Sequence, residues 1–101
     1  MKILEYLAEQ IEEEQEDAIA YLEHAMKYKE SCPRLADGLV ELARQETSHA
    51  ATLRDHARQI AEKHKTDGHF HEGLKWAMDR EREHYVKRDM HIRMLMDAYK
   101  A

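Results

Sequence analysis

Pro33 is the only proline in a chain of 101 residues, and the three glycines fall at 38, 68 and 73. A sequence so poor in turn formers has little material for tight strand hairpins. Its apolar residues recur instead at alternating steps of three and four, the period of one helix face. No stretch alternates every second residue, as a half-buried strand would. The expected fold is all-α, a single domain over residues 1–101. Helices are predicted over about 1–30, 33–64 and 72–100.

In the first segment Leu4, Leu7, Ile11, Glu14, Ala18, Tyr21, Ala25 and Tyr28 share a face, widened by Ile3, Leu22 and Met26. Glu14 is the member out of place. Glu12, Glu13, Glu16 and Asp17 surround it. An acidic run early in a helix with Lys27 and Lys29 at its far end suits the helix dipole, which explains Glu12 and Asp17 as a solvated face. It does not explain Glu14, which the stripe directs inward. Pro33 fits the first turn of the next helix, with Ser31 or Cys32 as cap. The short connection predicts an antiparallel hairpin.

The second segment carries the stripe Leu35, Leu39, Leu42, Glu46, His49, Leu53. Glu46 and His49 stand where the pattern calls for leucine. A carboxylate and an imidazole in an apolar stripe are costly without a partner. A metal ion held between helices is one such partner, and Glu-x-x-His is a spacing that supplies it. Gly38 costs about 1 kcal/mol against alanine, which a close helix–helix contact would justify. His56 reads as a stripe-edge residue. The break at Lys65 to Gly73 gathers His64, His69 and His71, read as a polar loop rather than a zinc or copper site.

The third segment has the stripe Leu74, Met78, Glu81, Tyr85, Arg88, Ile92, Leu95, Tyr99. Glu81 and His84 repeat the Glu-x-x-His spacing. Arg88 lies on the same face and offers Glu81 an ordinary salt bridge, so a salt-bridged face stands ahead of a metal role. Met90, Met94 and Met96 supply adaptable apolar surface suited to a subunit contact.

A net charge of -5 gives no basic excess for phosphates, so nucleic acid is not an expected partner. No apolar run is long enough to span a bilayer. The single cysteine, Cys32, allows no intrachain disulfide, and the N-terminus lacks an apolar signal core. A cytoplasmic setting is expected, with Cys32 an incidental loop thiol.

Glu14 followed by Tyr21 on one helix, and Glu46-x-x-His49 on the next, resembles the ferritin-like superfamily. There the first helix gives a glutamate and, seven residues on, a tyrosine, and the second gives Glu-x-x-His. The likeness covers about residues 1–64 and is nearest to the short half-ferritins of the encapsulated-ferritin type, in which two chains complete one di-iron site. The C-terminal Asp97-Ala98-Tyr99-Lys100-Ala101 does not look like the shell-targeting tails of that group, and the long third helix has no assured counterpart. The resemblance implies iron as cofactor, with Glu46 bridging, Glu14 and His49 as further ligands, and Tyr21 near the metal as hydrogen-bond donor or redox neighbour. Glu13 and Glu16 look like acids on the approach to such a site. Manganese or zinc would accept the same donors.

Ligand counting points to an oligomer independently. A di-iron carboxylate site takes four carboxylates and two histidines from four helices. Glu14, Glu46 and His49 are half of that set, and a two-fold homodimer, or a higher homo-oligomer built from it, doubles it. A single-chain site using Glu81 and His84 falls one carboxylate short. The expected function is iron binding between helices with oxidation of Fe(II) by dioxygen or peroxide. The competing expectation is a non-enzymatic helical scaffold in which Glu14, Glu46, His49 and Glu81 form a structural polar network with Arg88 or Arg44.

Overall fold

The computed structural model of the chain describes residues 2–66 and 72–101. These form three helices, α1 (Lys2–Tyr28), α2 (Pro33–Thr66) and α3 (Glu72–Lys100), and no strand among the described residues. The predicted bounds shift only at the ends, and Gly73 falls inside α3 rather than in a loop. His69 and His71 lie outside the described residues.

The turn between α1 and α2 is built on Cys32. Its N–H donates to the Tyr28 carbonyl at 2.8 Å, closing α1, and its carbonyl accepts from Ala36 N–H at 3.0 Å, opening α2. Cys32 is therefore the cap, and Pro33 takes the first helical position, where a missing N–H costs nothing. So short a turn forces α2 back along α1, as expected of the hairpin.

The seam of that hairpin is not the leucine stripe. Its fully buried residues are Ala18, Leu22 and Ala25 from α1 and Ala36, Val40 and Ala43 from α2. Leu35 and Leu42 are 51% and 41% exposed, and Ile3 and Met26 are also open. The physical reason is close approach: facing alanines let two backbones pack tightly, and the helices rotate so that alanine points inward. The leucines then flank the seam. Gly38 meets the same correction, because a Cβ there would find nothing within 4 Å. It lies on the open face between Leu35 and Leu42, and no helix of its own chain approaches it.

α3 runs parallel to α1. Gln15 Nε2 donates to the Tyr85 carbonyl at 3.1 Å, and Lys29 Nζ donates to the Tyr99 carbonyl, an offset of 70 residues at both points. Ile92, 1% exposed, is the apolar plug that joins α3 to the hairpin core. Burying that isoleucine contributes about 2 kcal/mol, and Leu95, Met96 and Tyr99 pack beside it only partly buried, so α3 depends on polar anchors as well. Arg88 Nε donates to Gln15 Oε1 at 2.6 Å, and the Tyr99 hydroxyl donates to Asp37 of α2 at 2.6 Å. The whole is a rod of 56 × 17 × 16 Å with a radius of gyration of 16.2 Å. A compact globule of this length would have about 13 Å. No helix among the described residues is long and apolar enough to cross a membrane.

Candidate metal centre

Glu14 and the Glu46–His49 pair come from opposite strands of the hairpin. Residues three apart on α2 share a face, and the antiparallel register brings that face level with Glu14 on α1. His49 Nδ1 lies 3.5 Å from Glu14 Oε2 and 3.7 Å from Glu46 Oε1. The three residues each offer one ligand atom within 4.8 Å of the others. Donor atoms gathered this closely could share one divalent cation, whose bonds to oxygen or nitrogen run about 2.0 to 2.4 Å.

The site is placed at the edge of the seam, not inside it. The Glu14 and Glu46 side chains are 24% and 21% exposed, while His49 is 59% exposed. One side of the cluster is therefore open. The trio faces out beside Leu42, whereas the sequence stripe had directed it inward with the leucines. Among the described residues, no lysine or arginine forms an ion pair with Glu14 or Glu46.

Two carboxylates this close need either a proton or a cation between them. Glu46 responds by holding its proton up to about 7, against an ordinary value of 4.5. The largest cause is the Glu14 carboxyl, to which a protonated Glu46 can donate. Burial follows, then repulsion from Glu14 and Asp17, with His49 pulling the other way. Glu14 Oε2 is itself buried and accepts no hydrogen bond. A cation among Glu14, Glu46 and His49 would take up that oxygen and displace the proton. The donor set suits iron, manganese or zinc.

The other expected residues are placed elsewhere. Tyr21 is half-buried against the hairpin core, two helical turns and about 10 Å along α1 from Glu14. Glu13 and Glu16 are exposed on α1 outside the trio, and His56 is exposed on α2. Glu81 does not join the cluster, nor does the exposed His84. Glu81 lies 3.6 Å from Arg88, the ordinary salt bridge its helix spacing offered. Arg44 pairs with Glu41 at 3.5 Å. The single polar network expected of a scaffold is thus two separate clusters, with Arg88 serving only the one between α1 and α3.

Gln15 has a role that the stripe does not announce: it is 1% exposed and clasps α3. It continues the buried line from Ile11 to Ala18, which is its one signal in the sequence. Asp17 is exposed, as a solvated face requires, and from there its charge adds to the raised pKa of Glu46. It stands one turn from Glu14.

Compared with known proteins, the chain matches no family model, no curated protein and no solved structure. The ferritin-like resemblance therefore rests on the motif residues alone.

Proposed function

We propose that this chain is a ferritin-like di-iron carboxylate protein, binding iron through Glu14, Glu46 and His49 at a site completed by a second copy. Fe(II) is also its substrate, oxidised there by dioxygen or peroxide. The observation that carries the reading is the convergence of three ligand atoms within 4.8 Å, with one buried carboxylate oxygen that accepts no hydrogen bond. The second copy enters for two reasons. Half a ligand set is present in one chain, and exposed Leu42 stands one turn from Glu46 beside the open side of the trio.

In this reading Glu46 would be the shared carboxylate, with Glu14 and His49 as the further ligands, and a hydrogen-bond acceptor beside the free ring N–H of His49 would fix the imidazole. Tyr21, two turns along α1 and packed against the hairpin core, would serve as a redox neighbour rather than as a hydrogen-bond donor to the trio. α1 carries eight acidic residues against two lysines, and exposed Glu13 and Glu16 draw cations toward the trio. Manganese or zinc binds the same donors. A cytoplasmic setting keeps Cys32 as a thiol.

Anaerobic Fe(II) titration of the metal-free protein, followed by air, with mass measured at each step, tests the reading. The expected result is about one iron per chain, a dimer on loading and a new near-ultraviolet band on oxidation. No uptake and an unchanged mass would defeat it. A scaffold role has one observation in its favour, the Gln15–Arg88–Glu81 clasp, which fixes the register of α3 on α1. Under that role the trio is a structural polar cluster and the titration is flat.

A further inference from the structure

α3 turns a second set of residues away from the protein. Its inward line is Glu81, Tyr85, Arg88, Ile92 and Tyr99. Half a turn round, Met90 and Met94 are 59% and 68% exposed. The same helix uses Met96 for packing against the core, so methionine is not confined to its surface. A methionine left in water forgoes roughly 1.5 to 3 kcal/mol of burial. Two such residues at an i, i+4 spacing bring their thioether arms to the same patch of surface.

The exposed His91 stands between them in sequence, one turn before Met94. Each thioether arm has three rotatable bonds and can close on an ion beside the imidazole. Two neutral thioethers and one imidazole are soft donors. Lys87, exposed one turn before His91, and Asp97, exposed one turn after Met94, offset one another beside the patch. The softness of the donors, rather than local charge, therefore selects a soft, singly charged ion over a hard, doubly charged one.

We propose that Met90, His91 and Met94 form a Cu(I) site on the outer face of α3. It is independent of the Glu14, Glu46 and His49 centre, whose oxygen-rich donors suit harder metals, and it stands whether or not that centre binds iron.

The test uses full-length protein carrying Cys32→Ser, because Cys32 is exposed and its thiol is a competing soft donor. Cu(I) is titrated anaerobically against bicinchoninate, with the six methionine methyls labelled for NMR. About one Cu(I) per chain should be withheld from the competitor, with the Met90 and Met94 methyls shifting and those of Met78 and Met96 unmoved. Met90→Leu with Met94→Leu should abolish retention, and His91→Ala should weaken it about tenfold or more. Leucine matches methionine in volume and helix propensity, so the double variant keeps its fold, checked by circular dichroism. Its iron uptake should equal that of the parent. No retention by the parent, or equal retention by the double variant, overturns the site.

Discussion

Glu14 and Glu81 are two solutions to one problem. Each is a half-buried glutamate with an oxygen that no hydrogen bond reaches, Glu14 Oε2 and Glu81 Oε1. Glu81 has Arg88 at 3.6 Å, and Arg54 and His84 also draw its charge. Burial still outweighs them and raises its pKa. Glu14 has no cationic side chain beside it except whatever charge His49 acquires, and its other neighbour is a second carboxylate. The Glu81 cluster is balanced by the chain itself, between α1 and α3. The Glu14 cluster is left in charge deficit, on the open face. A charge deficit in a half-buried site is what an ion from outside can fill, whereas a balanced cluster only holds helices together.

The sharpest way to break the comparison is Glu46→Ala with His49→Ala. Iron uptake should fall from about one per chain to none, while Glu81→Ala leaves uptake unchanged. Inductively coupled plasma analysis of the desalted proteins checks both. Metal retained in the first variant would show that the Glu14 cluster is not the host.

Next in size is Arg88→Met. It leaves Glu81 without its counter-ion and Gln15 Oε1 without its donor, and should cost about 2 to 3 kcal/mol in urea unfolding. A loss below about 0.5 kcal/mol would mean that the α1–α3 clasp contributes nothing to register.

A pH series separates the clusters by a smaller effect. Unfolded Glu46 releases its proton near 4.5, and folded Glu46 holds it to about 7. Between those values the folded state binds the extra proton, so metal-free stability falls as pH rises through that window and levels off above about 7. Glu81 is raised too and contributes with the same sign. Glu46→Gln should flatten the larger part of this slope, and metal loading should strengthen as pH rises through 7. A slope unaltered in Glu46→Gln would show that the two carboxylates do not share a proton.

Gly38→Ala should raise the stability of the metal-free monomer by about 1 kcal/mol, because the added methyl meets open space. If a partner's helix packs against Gly38 on loading, the same variant weakens the dimer, read as a raised dissociation constant in sedimentation. Smallest is Asp79→Ala, which removes the exposed pair with Lys75 at 2.8 Å and should change stability by less than about 0.5 kcal/mol.

The helix count and the hairpin were legible because one proline and few glycines leave few other choices. The trio that the hairpin brings together was legible because a glutamate or histidine breaking a leucine stripe is conspicuous. What misled was side-chain size. Hydrophobicity points to Leu35 and Leu42 as core, yet packing chose Ala36, Val40 and Ala43, whose small side chains permit a closer approach of α1 and α2. The Gln15 clasp was hidden for another reason. A neutral polar side chain in an acidic run gives no charge signal, and its partner lies 73 residues away.

That separation has a kinetic meaning. The contacts of α2 with α1 begin across the four-residue turn at Cys32, whereas those of α3 with α1 join residues 70 and 73 apart. Closing the longer loop costs more chain entropy and comes later. The hairpin alone contains Glu14, Glu46 and His49, so all three side chains can meet before α3 docks. During synthesis the half of the molecule that carries the candidate site then exists first, and the strap that steadies it arrives afterwards. Pulsed hydrogen exchange during refolding would see amides of α1 and α2 protected ahead of those of α3, and simultaneous protection would reverse that order of events.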